Sequence, residues 1–553
     1  MRKAGGMATF SKELRLAVEE AYRMAAAEAG WTAPAPAFAI ERPKDPKMGD
    51  YAANIALQAA RPLHMAPRQV AERILHHLEL GEDFTGAEIA GPGFLNFRLS
   101  RSFYPKVIEA LLRDAKAFLA TDCEGGERIL LEFVSANPTG PLNVVSARAA
   151  AVGDTLGRLL RLAGHDVLTE FYVNDAGRQV EMLARSILAR REELLGRPFE
   201  IPEDGYHGDY VIDLAKGFKA EEPGDFESLP EERRVEMVRA WALRQMEQMR
   251  LRTLERYGVH FDNFFSEKAF RDRGGTEEVV GRLGGHTYEA EGALWLKTTG
   301  FGDDKDRVLR KSDGEFTYFA PDIGYHESKY SRGYDRAIDL LGPDHHGYVA
   351  RMRAAMEALG HDPGSFEVLL VQWVRFLRHG EVQSMSKRAG EILTIDELLD
   401  DVGTDAARFL FLMRSHDTPL DFDLALAKEE SSENPVYYVQ YAHARIASIL
   451  RQAGEVTAEP DYGLLTSPEA EDLLRRLGQL PEEIRDAAEH REPHRLTRLA
   501  MELAQAFHAF YNRNRVLGVE ESLSASRLRL AQATQAAIGQ LLWLLGVSAP
   551  ERM

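Results

Sequence analysis

Residues 128–177 read RILLEFVSANPTGPLNVVSARAAAVGDTLGRLLRLAGHDVLTEFYVNDAG, and this stretch decides the fold. Residues 128–134 are an apolar run of the length of one buried strand. Asn137, Pro138, Thr139, Gly140 and Pro141 then form a turn that neither a helix nor a central strand accommodates. From Ser146 onward, Ala147, Val152, Leu156, Leu159, Leu160 and Ala163 fall on or near one helical face, and Gly164 is placed to stop that helix. Residues 167–173 read as a second strand. Strand, loop, helix and strand make a βαβ unit, which requires a parallel pair inside an α/β sheet. Ligands of such sheets sit beyond the carboxyl ends of the strands, so chemistry is expected at the loop 135–146 and at the helix start.

Outward from there, 553 residues are too many for one core, and about three to four domains are expected. The composition is 44% apolar and 28% charged, with no apolar run near the ~18 residues needed to span a bilayer. No membrane partner is expected, and the N-terminal stretch lacks the unbroken apolar core of a secretory signal. The single cysteine, Cys123, rules out an internal disulfide and disfavours a cysteine-ligated metal. A cytoplasmic monomer is the expectation. The net charge of −19 weighs against a nucleic-acid partner without excluding one, because phosphate binding depends on where Lys and Arg cluster.

The expected architecture is multidomain α/β. Residues 1–122 form an N-terminal α+β domain, with a helix over 10–29, a helical stretch over 52–57, and a turn and strand over 90–99 in which Phe94, Asn96 and Arg98 alternate with Leu95, Phe97 and Leu99. Residues 123–430 form a Rossmann-like parallel-sheet domain with a helical insertion at about 195–280. Further strands are expected at 292–296, 316–319, 337–341 and 366–370. Residues 431–553 form an all-α bundle, because Leu496, Leu499, Ala500, Leu503, Phe507 and Phe510 share one face, as do Leu530, Ala533, Ala537, Ile538 and Leu541.

A second loop, Ser384-Met385-Ser386-Lys387-Arg388-Ala389-Gly390, is small and basic. A helix start after a parallel strand offers free N–H groups to a phosphate, and a cationic loop can close over the same phosphates. The two loops together, with Gly49-Asp50-Tyr51-Ala52, Gly91-Pro92-Gly93-Phe94, Tyr172-Val173-Asn174-Asp175-Ala176-Gly177 and Gly342-Pro343-Asp344-His345-His346-Gly347-Tyr348, identify the chain as resembling the bacterial class I arginyl-tRNA synthetases over essentially its full length. The resemblance implies ATP-dependent attachment of L-arginine to its tRNA through an arginyl-adenylate, with AMP and pyrophosphate released. It also implies that activation waits for tRNA. Two signatures depart from the family form. His-x-Gly-His is here Asn143-Val144-Val145-Ser146, and Lys-Met-Ser-Lys is here Ser384-Met385-Ser386-Lys387. Asn and Ser can donate hydrogen bonds, but neither carries charge near neutral pH.

By resemblance, the catalytic residues are Lys387, Asn143 and Ser146, and ATP contacts Pro141, Leu142, Asn143, Ser146, Met385, Ser386, Lys387 and His345. Arginine is assigned to Glu132, Asn137, Tyr318, Asp322 and Asp344. A guanidinium presents fixed donors that call for paired acceptors, and Tyr318 and Asp322 share a face if the chain turns helical after Thr317. For tRNA, the N-terminal domain offers Tyr51, Asn54, Phe94 and Asn96. The bundle offers Tyr437, Tyr441, Arg445 and Arg513, beside Tyr438, Gln440 and His443, with stacking of splayed bases as the expected mode. Asp344, His345 and His346 do not suggest a metal, since neighbours on a strand point to opposite faces. Magnesium is expected with ATP, and no protein-bound metal. The alternative function is a catalytically impaired tRNA-binding paralogue that kept the synthetase fold.

Overall fold

Five parallel strands carry the centre of the protein in this computed structural model, which describes residues 10–43, 45–120, 126–378, 380–382, 393–454 and 457–553. They are β1 (Arg128–Glu132), β2 (Asp166–Val173), β3 (Asn263–Ser266), β4 (Arg336–Leu341) and β5 (Phe366–Leu370), in the spatial order β5-β4-β1-β2-β3. The order reverses between β1 and β4, which opens the crevice where a doubly wound sheet binds its ligand. Buried Ile129, Leu130 and Leu131 make β1 apolar on both faces, as a covered parallel strand must be.

The β1–β2 crossover is helix α1 (Val144–Leu162). It starts two residues before the expected Ser146, because Asn143 is its N-cap and accepts from the N–H groups of Val145 and Ser146. Asn ranks among the best N-caps. Gly164 does end the helix region, at φ +98°.

Three sequence expectations need correction. Residues 195–280 are not simply an insertion: helices α2 (Arg178–Leu194) and α3 (Glu231–Arg256) form their own small core, but the chain then returns to the sheet as β3. Residues 316–319 are not a strand. Tyr318 caps helix α4 (Phe319–Ser331), and Pro321 lies in its first turn, where a missing N–H costs nothing. Residues 293–296 do form a strand, but in a separate three-stranded antiparallel sheet.

In the N-terminal domain the helix Phe10–Ala29 forms as expected, whereas Tyr51–Ala53 is a strand and the helix is Ile55–Ala60. Gly49 at φ +101° lets this backbone pass the Phe97 carbonyl, where a Cβ would sit 2.7 Å from the oxygen. The C-terminal region is helical from Pro435–Ala453 through Pro468–Glu489 and Arg495–Arg513 to α5 (Glu521–Leu545), with every apolar position named above buried. Glu482 of the bundle reaches into the N-terminal domain, accepting from the Ser11 N–H (2.6 Å) and the Tyr51 hydroxyl (2.9 Å). No helix among the described residues is long and apolar enough to cross a membrane.

Candidate active site

Strand register builds the site. Glu132 of β1 pairs with Glu170 of β2 on one side and with Asp339 of β4 on the other, so three carboxylates stand in a row across the sheet near its carboxyl end. All three are buried. Their counter-charges come from α4 and its cap, at a spacing that puts them on one helical face. Arg332 grips Glu170 with both terminal nitrogens (2.5 and 2.9 Å). Lys329 Nζ lies 2.7 Å from Glu132 Oε2 and 2.7 Å from Asp339 Oδ1, and His326 Nε2 lies 2.6 Å from Asp339 Oδ2. Burial opposes ionisation of Asp339, but Lys329 and His326 outweigh it and hold the carboxyl at about 2. Burial likewise works against the Lys329 charge, and its two carboxylates hold it above the usual lysine range.

Glu132, His326 and Asp339 could by spacing hold a metal ion. The Lys329 ammonium is bound to both carboxylates of that group, so it already supplies the cation.

The ladder fixes α4, and α4 places Asp322 one turn before His326, whose Nδ1 bonds the Asp322 carbonyl (2.7 Å). The Asp322 carboxyl is partly buried near Glu267 and Glu132. Burial, partly offset by His326 and reinforced by the two acids, pushes it up to about 6. An acid held high mainly by burial regains its charge most readily beside a cationic ligand. Glu132, by contrast, is ion-paired with Lys329 and also accepts from the Ser135 hydroxyl (2.8 Å). Tyr318 is 88% exposed, whereas Asp322 is partly buried. Asn137 is exposed at the mouth of the same loop.

Beyond β1 the backbone is strained, with Val134 at φ +69° and Ser135 at φ +41°. A β-branched residue there is a genuine outlier, and such strain concentrates at functional sites. Tyr206 and Tyr210 of the helical region pin the loop by donating to the Thr139 hydroxyl (3.0 Å) and carbonyl (2.8 Å). Val134, Val144, Val145, Ser146, Gly342 and Asp344 line a cleft at the start of α1 together with His345, Gln372 and Trp373. Trp373 is 57% and Val145 54% exposed, an apolar pair facing open solvent. Sequence reasoning passed over Trp373, although a tryptophan just before a strand that leads to a basic loop is a usable signal.

Asp344 and His345 lie on a one-turn helix, Pro343–His345, rather than on a strand, so the opposite-face argument does not apply to them. His345 is exposed, with Nε2 3.7 Å from Asp344 Oδ2. Leu142 and Pro141 lead into the α1 cap. The Leu142 carbonyl accepts from Ile395 N–H (2.9 Å) and Val144 N–H donates to Leu393 (2.9 Å), which ties the first loop to the chain leaving the second. Met385, Ser386 and Lys387 lie outside the described residues.

The RNA assignments divide. Tyr51 (1% exposed) and Asn96 (3%) are buried in the N-terminal domain, so neither offers a surface to RNA, while Phe94 and Asn54 remain partly accessible. In the bundle, Tyr437 stacks on Tyr441 (6.4 Å, 6°), and Arg445 lies 5.7 Å from the Tyr441 ring and 4.5 Å from the Tyr511 ring. Gln440 and His443 are buried and hold the C-terminal tail through Ser548 and Pro550. Arg513 is exposed, 3.5 Å from Glu469.

The comparisons agree from end to end. Residues 10–99 match the arginyl tRNA synthetase N terminal domain, 106–418 the catalytic domain of class I (R) tRNA synthetases, and 439–553 the DALR anticodon binding domain. The chain is 48% identical over 550 residues to the arginine–tRNA ligase of Symbiobacterium thermophilum, covering 98% of both chains. It is 46% identical over 528 residues to that of Bacillus subtilis, covering 94% of this chain and 95% of the other. The arginyl-tRNA synthetase structure of Thermus thermophilus superposes with a TM-score of 0.76 at 26% identity, over 98% of this chain and 100% of that one. Together with the doubly wound sheet, these matches place the chain in the class I arginyl-tRNA synthetase family.

Proposed function

We propose that this protein joins L-arginine to its cognate tRNA at the expense of ATP, through an arginyl-adenylate. The observation that carries the reading is the pairing of opposite preferences near the strand switch point: Asp322, held at about 6 chiefly by burial, which a cationic ligand would oppose, and the α1 start, which borders a cleft. The arginine guanidinium goes to Asp322, with Asp344 and Asn137 at the mouth. The adenine ring lies against Val145 and Trp373, and the phosphates approach Asn143, Ser146 and the positive end of α1, where they displace the Asn143 cap.

The arginine carboxylate attacks the α-phosphorus in line, forming an O–P bond as the bond to pyrophosphate breaks. No general base or covalent enzyme intermediate is required, and the protein contributes positioning and charge stabilisation. The 3′-terminal ribose hydroxyl of tRNA then attacks the adenylate carbonyl and releases AMP. Magnesium enters as part of the ATP complex. Lys387, with Met385 and Ser386, is assigned to close on the phosphates. The aromatic face of Tyr437, Tyr441 and Arg445 takes loop bases of the RNA, with Arg513 at its edge. The enzyme works as a monomer in the cytoplasm on this reading. Among the described residues, nothing in the site favours the non-catalytic alternative.

Arginine-dependent exchange of pyrophosphate into ATP, with and without cognate tRNA, tests the proposal. Exchange only with tRNA is the expected result. Exchange without tRNA would keep the enzyme and remove the coupling, and none in either case would overturn the reading.

A further inference from the structure

Helix α1 carries three arginines, Arg148, Arg158 and Arg161. Arg158 pairs with Asp154 and Arg161 with Asp262. Arg148 has no such partner among the described residues. It lies at the end of the first turns after the Asn143 cap and is completely buried. Its Nη1 donates to the carbonyls of Gln372 (3.0 Å) and Thr418 (2.9 Å), and its Nη2 to that of Ser415 (2.7 Å). Its Nε is buried with no acceptor among the described residues. The acid that acts on it most, Asp417, is exposed. Burial pushes Arg148 down to about 10, so it stays charged at neutral pH. Its field is felt next door: after burial itself, the Arg148 charge helps keep His416 below the ordinary histidine value.

A buried cation satisfied only by neutral carbonyls is costly, and strapping α1 to the segments at 372 and 415–418 would need donors, not a charge. Gln372, whose carbonyl the guanidinium grips, lines the cleft beside Ser146 and Trp373. The positive group therefore sits directly behind the cleft wall, on the helix whose N-terminus already favours anions. Asn143 and Ser146, at the mouth, bring no charge of their own. We propose that Arg148 supplies the positive potential that holds the nucleotide phosphates at the start of α1, as a positioning residue that never touches the nucleotide. This rests on the assignment of ATP to this cleft.

Binding of ATP, AMP and adenosine to the full-length protein, by titration calorimetry, separates charge from strap. A unit charge acting over ~10 Å at an effective dielectric of ~20 is worth on the order of tenfold in affinity. Arg148→Met is expected to weaken ATP and AMP by about tenfold or more and adenosine by less than about twofold, with Arg148→Lys restoring most of the loss. Arg148→Gln substitutes if the methionine variant does not fold. Equal weakening of adenosine and ATP would reduce Arg148 to a strap and overturn the inference, as would unchanged ATP affinity. Failure of the unsubstituted protein to bind ATP at all would instead overturn the assignment of the cleft.

Discussion

Lys329→Met is the sharpest probe of how the site is held. The substitution keeps most of the side-chain volume but removes an ammonium that is 2.7 Å from each of two carboxylates. Glu132 and Asp339, 6% and 1% exposed and paired in register on neighbouring strands, would then face each other with only His326 left as counter-charge. Removing one partner of a buried pair costs ~3–5 kcal/mol, and the second stranded acid places this case at the upper end, near ~5 kcal/mol at pH 7. The pH dependence follows from Asp339. Its carboxyl, held at about 2 against burial, contributes stability that is complete above the unfolded value near ~3.9 and is lost only as pH falls toward 2. Without Lys329 that carboxyl rises and takes a proton on folding, so the penalty shrinks between pH 7 and about 5. Urea unfolding followed by circular dichroism at both pH values measures this, using the midpoint of the first transition because a multidomain chain need not unfold in one step. Adding Glu132→Gln and Asp339→Asn to the variant should recover most of the loss. An equal penalty at both pH values, or a triple variant no better than the single one, would refute the charge ladder.

Asp322→Asn should raise KM for arginine in pyrophosphate exchange by at least about tenfold, the scale of one charge-assisted pair. The unsubstituted enzyme should lose arginine affinity as pH falls through about 6, where Asp322 takes up its proton, while the variant's KM stays flat there. Gly546→Ala places a Cβ 2.3 Å from the Arg408 guanidinium at φ +68°, and Arg408 is buried against Asp154 (2.5 Å) and the Leu545 carbonyl (2.8 Å). A loss of ~1–3 kcal/mol is expected, read as a lowered thermal midpoint. Arg445→Ala removes the cation between Tyr441 and Tyr511 and should raise KM for tRNA by about tenfold, with a shallower salt dependence and an unchanged KM for arginine.

What the sequence showed, and what it hid, follows from the range of the interactions involved. The β1–α1–β2 unit and the terminal bundle were legible because their apolar periodicity is local. The α1 start was misplaced by two residues because a hydrogen-bonded asparagine cap outweighs the apolar pattern that begins later. β3, only Asn263–Ser266, follows a long charged helix and has no alternation to announce it. The aromatic run 316–319 resembled a strand until Pro321 and the contacts of α4 chose a helix. Tyr51 looked like a surface aromatic, yet its partner Glu482 is far away in sequence. The charge ladder was hidden for the same reason. Glu132, Glu170 and Asp339 become one row only through sheet register, although His326, Lys329 and Arg332 do show their common helical face in the chain.

The arrangement also accounts for how a protein of net charge −19 can hold an anionic nucleotide and a cationic amino acid side by side. The two sides of the strained turn at Val134 and Ser135 differ in which charge is left without an ion pair among the described residues. On the α4 side Glu132, Glu170 and Asp339 each have a cationic partner, whereas Asp322 has no ion pair among the described residues. On the α1 side the buried Arg148 is in excess, and a helix N-terminus adds to it. A guanidinium near Arg148 or a phosphate near Asp322 would each meet like charge, so misplacement is disfavoured. Asn143 fits this division. Its side-chain oxygen now accepts from the Val145 and Ser146 N–H groups (3.1 and 3.3 Å), and an incoming phosphate must displace that cap, worth about 1 kcal/mol. The attraction supplied by Arg148 offsets that cost, which is why an uncharged signature and a buried unpaired arginine belong together on the same helix.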